Sequence, residues 1–410
     1  MIAIAVMGAV ALPGAVCAAD AEGLYETEVR VFSQSAAERQ EALRTALAEV
    51  MVKVTGQRTA PAALGLAGAF KRVYQFVQQY RYRPLTESRL GLVPPPVPVP
   101  APAQAVRKPG VPVPPQPLSK PAFPVTKEQV LWVSFDSAAV NKALRQAKLP
   151  LWGRARPATL AVLAVEEPPS RSILLADSGS ELQALLETRA WWRGLPLVLP
   201  QRAEADGGIR FLEAWNNSQE PLLRAAAHER ADAVLVGRMM RQGTALRVRW
   251  TLFQAAEEPV HWESAGDTVR EVLEAGIDGA ADTLGKRFAQ LLSDTASNIA
   301  FITVTDIATL DNYAKVMGYL QSLDQVAEVW VSQVHASSVT FRVAARSNTE
   351  SLGRAIALGK KLAPIIVPVV VEDPLAADTP LGATADETPA RTVPAALSAP
   401  AAELKYQLLQ

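Results

Sequence analysis

Apolar and polar positions follow two periods along this chain, and the changes of period mark its elements. Tyr25 to Val31 (YETEVRV) alternates as a strand. Ser35 and Glu38 then stand at the spacing of a capping box. Leu43, Leu47, Val50, Met51 and Val54 recur at helical spacing, and Gly56 is placed to end that helix in the left-handed conformation. The pattern predicts a second helix over 64–79, a strand over Gln129–Phe135 and a helix over Ser137–Lys148.

A second block opens with the buried-type strand Thr159–Val165. Helical spacing follows over Ser180–Arg193, a short strand over Leu195–Leu199 and a helix over Glu220–Arg230. Ala233–Gly237 is again strand-like. Leu246–Phe253 and Val260–Glu263 are close enough in sequence to pair antiparallel. Leu246, Val248, Trp250 and Leu252 alternate with polar residues, which gives that hairpin one buried and one wet face. A long helix closes the block, with Val269, Val272, Leu273, Ile277, Ala280, Leu284, Phe288 and Leu291 on its apolar stripe.

The third block reads strand (301–305), helix (309–323), two strands (326–334 and 339–344) and helix (347–362), the last opening on a capping box of Ser347 and Glu350. That order is a split βαβ unit lacking its final strand. Ile365–Val371 contains Pro368, which disfavours a central place. Leu404–Leu409 alternates cleanly and is the preferred candidate for the missing strand.

Two stretches interrupt these patterns. Residues 91–126 are proline-rich and favour an extended, coreless segment; they are expected to interrupt a domain, not to join two. Residues 373–402 are rich in Ala, Thr and Pro and read as a disordered loop. The fold class predicted is α+β and multi-domain, with mixed or antiparallel sheets, packed helices and a C-terminal ferredoxin-like (split βαβ) unit. The expected domains are 22–157, 158–294, and 298–372 together with 403–410.

The first residues, MIAIAVMGAVALPGAVCAAD, carry no charge before Asp20. Ile2 to Val16 is an apolar run too short to span a bilayer, and it ends in small residues. Residues 1–19 are therefore expected to be a signal peptide cleaved at Ala18 or Ala19. No Lys or Arg precedes the run, which points to a true start upstream of Met1. Cys17, the single cysteine, offers a lipoprotein anchor as the rival reading, disfavoured because Val16 precedes it. The expected compartment is the periplasm.

Composition narrows the classes further. The 410 residues carry 41 basic and 41 acidic side chains, without a basic stripe of the kind nucleic acid needs. No run after the first is apolar and long enough for a membrane span, so an integral membrane protein is not expected. The three histidines, His228, His261 and His335, do not converge in sequence. No G-x-S-x-G, H-E-x-x-H or phosphate-loop motif occurs. Asp177-Ser178-Gly179-Ser180 fits a turn and a helix cap, and Glu166-Glu167 fits an exposed loop before two prolines. No catalytic, metal or cofactor residue is assigned. The best contact-site candidates are Trp191 and Trp192, adjacent indoles at a helix end that face different ways.

The segments LYETEVRVFSQSAAERQEALRTALAEVMVKVTG, RGLPLVLP, ADAVLVGRMM and ALRVRWTLF resemble the secreted proteobacterial family called domain of unknown function 2066. The resemblance spans about 24–291. It implies export and the strand–helix order, and no activity. The expectation is an uncharacterised exported envelope protein with a non-enzymatic binding or scaffolding role, its partner an envelope protein or glycan. An exported hydrolase assembled from distant segments and an accessory subunit of an envelope complex are the alternatives.

Overall fold

The computed structural model describes residues 23–91, 128–365 and 403–409, apart from 168, 203–207, 244, 256, 294, 295, 297 and 360. Cys17, the cleavage residues Ala18 and Ala19, almost all of the proline-rich insertion and the 373–402 loop lie outside the described residues. The fold is α+β, with three mixed or antiparallel sheets and packed helices. The chain divides into two compact units, 19–294 and 295–410. The stretches 22–157 and 158–294 share the first of these, each with its own sheet.

The first sheet contains β1 (Glu26–Val31), β2 (Val77–Pro84) and β3 (Gln129–Phe135), in the antiparallel order β1-β3-β2. Helices α1 (Ala36–Thr55), α2 (Ala67–Lys71) and α3 (Ser137–Gln146) accompany it. The predicted stripe of α1 is buried against this sheet. Ser35 caps the helix by accepting from Glu38 N, and Gly56 closes it at φ 70°. The expected capping box is only half formed, because the Glu38 carboxylate accepts from Phe32 N and the Ser33 hydroxyl instead of Ser35 N. The helix expected over 64–79 is not formed. Short turns surround the five-residue α2, and β2 begins at Val77, drawn into pairing with β3.

The second sheet is built from β4 (Thr159–Glu167), β5 (Ser170–Ile173), β6 (Leu197–Val198), β7 (Ala233–Gln242), β8 (Ala245–Gln254) and β9 (Val260–Gly266). Its order is β5-β4-β7-β8-β9, with β6 also paired to β4. The β4–β7 and β4–β6 pairs are parallel, and the rest antiparallel. One face is covered by α4 (Glu181–Arg193) and α7 (Val269–Phe288). The other packs under α5 (Phe211–Trp215) and α6 (Gln219–His228). Glycines set the approach of α7. A Cβ at Gly276 would lie 2.1 Å from the Trp250 ring, and one at Gly279 2.5 Å from Trp262 Nε1. Helix and tryptophan strands are therefore in direct backbone-to-ring contact.

The 295–410 unit contains β10 (Asn298–Thr305), α8 (Leu310–Ser322), β11 (Val326–Val334), β12 (Ser338–Ala345), α9 (Thr349–Leu358), β13 (Leu362–Pro364) and β14 (Glu403–Leu408). The order is β11-β12-β10-β14-β13. The terminal segment does take the place beside β10, with Tyr406 buried in the core. It runs parallel to β10, whereas β13 runs antiparallel to β14 at the outer edge. The split βαβ pattern thus carries one strand inserted between its first strand and the one that follows α9. The cap of α9 also differs from expectation. Asn348, not Ser347, accepts from Ser351 N.

Candidate functional site

Trp191 and Trp192 are both half-buried at the end of α4. Two cations approach the Trp191 ring within the 19–294 unit. Lys53 Nζ is 3.4 Å from its ring centroid and the Arg89 guanidinium 5.1 Å. Trp192 Nε1 is buried without a hydrogen-bond partner among the described residues. The remaining motifs separate. Ser180 caps α4 by accepting from Gln183 N. Glu166 pairs with Arg171 at 2.7 Å. His228 ends α6 and His261 lies on β9, and His335 follows β11 in the other unit. Among the described residues no group of three His, Cys, Asp or Glu is placed to hold a metal ion.

Helices α1, α4 and α7 meet in a polar seam that the apolar patterns did not reveal. Asp278 on α7 is its hub. It accepts from Arg189 Nε at 2.8 Å and Nη2 at 2.6 Å, and from Arg193 Nη1 at 3.1 Å, with Arg58 3.6 Å away. Arg193 also reaches Asp282 at 2.6 Å and the carbonyl of Gly56 at 3.2 Å. Burial disfavours the Asp278 carboxylate, but hydrogen bonds from Arg189 and the charges of Arg189, Arg193 and Arg58 outweigh it and hold its pKa below the ordinary value. Arg156, fully enclosed, donates to the carbonyls of Lys53, Trp152, Gly153 and Gly194. Its cation thereby sits at the C-terminal ends of α1 and α4, where the helix dipoles favour positive charge.

Lys53 belongs to the same seam. Its Nζ donates to the Glu26 carbonyl at 2.7 Å and lies 3.4 Å from that of Gly23. Burial pushes its pKa from 10.5 down to about 7, Glu49 and Glu26 opposing and Arg156 and Arg89 adding to the effect. Glu49, one turn earlier, is raised by burial despite a hydrogen bond from Thr27 and the nearby Lys53 and Arg189. The sign for stability follows from proton counts. Between pH 7 and 10.5 the unfolded chain holds more protons at Lys53 than the folded one, so this residue makes stability rise with pH across that window. The slope is at most about 1.4 kcal/mol per pH unit. Urea unfolding of the native chain and Lys53→Met at several pH values should show the slope reduced in the variant; equal slopes would refute the assignment.

The 295–410 unit presents a different surface. Its helices cover one face of the sheet, burying Ile302, Val304, Phe341 and Val343. On the opposite face Trp330, Arg342 and Phe301 lie in one cross-strand row, set by the registers of β11 with β12 and of β12 with β10. Trp330 is 44% exposed, Arg342 exposed and Phe301 half-buried. The Arg342 guanidinium stands 5.6 Å from the Trp330 ring centroid. The next row holds the hydroxyls of Thr303 and Thr340, 2.9 Å apart. This combination of flat rings, a planar cation and hydroxyls suits stacking and hydrogen bonding to a ring-bearing or peptide ligand. Trp330 carried a signal in the sequence, as a large apolar residue on a strand with polar Glu328 and Ser332 two residues to either side. Its row-mates become visible only once register is known.

A cavity of about 380 Å³ in the 19–294 unit is lined by Pro200, Arg202, Ile209, Arg210, Glu213, Arg224, His228 and Glu229, among others. Arg210 is paired with Glu213 at 2.5 Å and Arg224 with Glu220 at 2.6 Å, so two of its cations are already compensated.

Residues 18–153 match a domain of unknown function, DUF8605. This finding corrects the resemblance to the family called domain of unknown function 2066, which is a different family. The matched stretch is less than half of the 410-residue chain and contains the β1-β3-β2 sheet and α1. No curated protein and no solved structure matches.

Proposed function

We propose that this chain is an exported, non-enzymatic binding or scaffolding protein of the periplasm. It meets an envelope glycan or protein through the open sheet face of the 295–410 unit. The carrying observation is the Trp330–Arg342–Phe301 row, in which an indole remains 44% exposed beside a guanidinium on a sheet whose other face carries the core of the unit. Exposed aromatics joined to arginine are the side chains that dominate contact energies. The apolar run Ile2–Val16 supports the compartment. Among the described residues no helix is long and apolar enough to cross a membrane.

Trp330→Ala tests this reading. Co-sedimentation with purified cell-wall glycan and site-specific photocrosslinking from position 328, exposed on the same face as Trp330, should both be measured in the native envelope. The variant is expected to bind at least about tenfold more weakly, the loss typical of a central aromatic contact, with its melting curve unchanged. Undiminished binding in both assays would overturn the proposal.

A further inference from the structure

The face of the second sheet that carries α5 and α6 is only partly covered by them. Beyond the helices, β7 and β8 place Arg238 opposite Arg249 in register, with Arg247 two residues along the same face. Like charges directly opposite across a strand pair are destabilising. One carboxylate offsets them: Glu263 on β9 lies 2.6 Å from Arg247 and 3.3 Å from Arg249. Among the described residues Arg238 is in no ion pair. Among the described residues one carboxylate, paired with Arg247 and Arg249, thus stands against three guanidinium groups, which leaves about two positive charges uncompensated on one small patch.

The cluster also holds a donor that nothing among the described residues uses. Arg238 is anchored by Nη1, which donates to the Trp215 carbonyl at 3.0 Å, while its Nε is buried without a partner among the described residues. Burial, then the proximity of Arg249, lowers the pKa of Arg238. Asn217, held at φ 53° between α5 and α6, donates from Nδ2 to the Thr251 hydroxyl at 2.9 Å. That hydroxyl lies 3.0 Å from His261 Nδ1. The chain Asn217–Thr251–His261 therefore borders the arginines and fixes the imidazole beside them. A buried polar atom left unpaired in a native fold calls for an explanation such as a ligand.

We propose that Arg238, Arg247 and Arg249 form a binding site for a phosphate-monoester group. The planar guanidinium fork matches phosphate oxygens in pairs. A phosphate monoester carries about −1.5 to −2 charge near neutral pH and so matches the uncompensated charge, which a single carboxylate would only half offset. The group can belong to a soluble phosphate ester or to a lipid headgroup. The site is in the 19–294 unit, so its variants leave Trp330 and its neighbours unaltered.

The three histidines make the test local. His261 ring signals are followed by NMR during titration with inorganic phosphate at fixed pH and ionic strength. A saturable shift of His261, absent from His335, is expected. Arg249→Gln, at a side chain 53% exposed and hence safe for folding, should weaken binding about tenfold or more, as loss of a charge-assisted hydrogen bond does. Arg238→Gln should abolish it, and Arg224→Gln should leave it unchanged. Flotation with phosphatidylcholine vesicles, with and without phosphatidic acid, identifies the source. Binding to free phosphate marks a soluble ester, and binding only to the phosphatidic acid vesicles marks a headgroup. No response to either probe, or an equal response in Arg249→Gln, would overturn the site.

Discussion

Asp278→Asn is expected to cost about 3–5 kcal/mol of stability, because removing one partner of a buried ion pair leaves the others desolvated and uncompensated. The substitution keeps the shape of the side chain and reverses its chemistry. Where a carboxylate accepts from Arg189 and Arg193, an amide would turn an N–H₂ toward guanidinium protons. Arg193 is buried and, among the described residues, would retain Asp282 and the Gly56 carbonyl. The effect should decline outward along the seam. Arg58, with a side chain 59% exposed, is expected to cost less than about 1 kcal/mol when changed to Ala. Acid should act in the same direction. The lowered pKa of Asp278 contributes stability that is full above its ordinary value of 3.8 and is lost as pH falls below it. Urea midpoints of the variants settle the gradient; an Asp278→Asn chain as stable as the native one would show that the seam is solvated and not structural.

Parts of this seam were legible in the chain. Arg189 and Arg193 are four residues apart on one helix, and Glu274, Asp278 and Asp282 repeat at the same interval on another. Two stripes of opposite charge at helical spacing are complementary surfaces, yet a charged helix face is ordinarily a solvated one, and nothing local says that these two helices touch. Lys53 was masked in a similar way by the apolar run around it, Val50-Met51-Val52-Lys53-Val54. Patterns that depend on one element's own burial were readable: the α1 stripe, its Gly56 cap and the alternation of Leu404, Tyr406 and Leu408 all describe elements that form. The 64–79 segment shows the limit. Leu66, Ala69 and Val73 are buried as helical spacing implies, but the last residues of the segment belong to a strand whose partner, β3, lies across the 92–127 stretch. The direction of β14 likewise depends on the path by which it returns, which alternation does not encode. The arginine cluster at 238, 247 and 249 needs the β7–β8 register before its charges coincide.

Gly276→Ala should destabilise the 19–294 unit by about 1–3 kcal/mol, the usual range for overpacking, although the same change in an open helix is stabilising. In a helix interior Ala is favoured over Gly by roughly 0.8–1 kcal/mol. At Gly276 a Cβ would fall 2.1 Å from the Trp250 indole, far inside contact distance. The ring has nowhere to go. Its Nε1 donates to Ser264, whose hydroxyl donates in turn to the Val272 carbonyl on α7, each at 2.8 Å. Behind it, a Cβ at Gly237 on β7 would be only 2.5 Å from the same indole, so the tryptophan is held between two glycines from opposite layers. Relief therefore requires α7 itself to move, and that motion would pull Asp278, two residues on, away from Arg189 and Arg193. Gly318 supplies the contrast. It lies within α8, is exposed, and a Cβ there meets nothing within 4 Å. Gly318→Ala is expected to raise the stability of its own unit by about 0.5–1 kcal/mol. Thermal and urea unfolding of the two variants should give shifts of opposite sign, and a stabilised Gly276→Ala chain would mean that the α7–Trp250 contact is looser than the backbone-to-ring packing described.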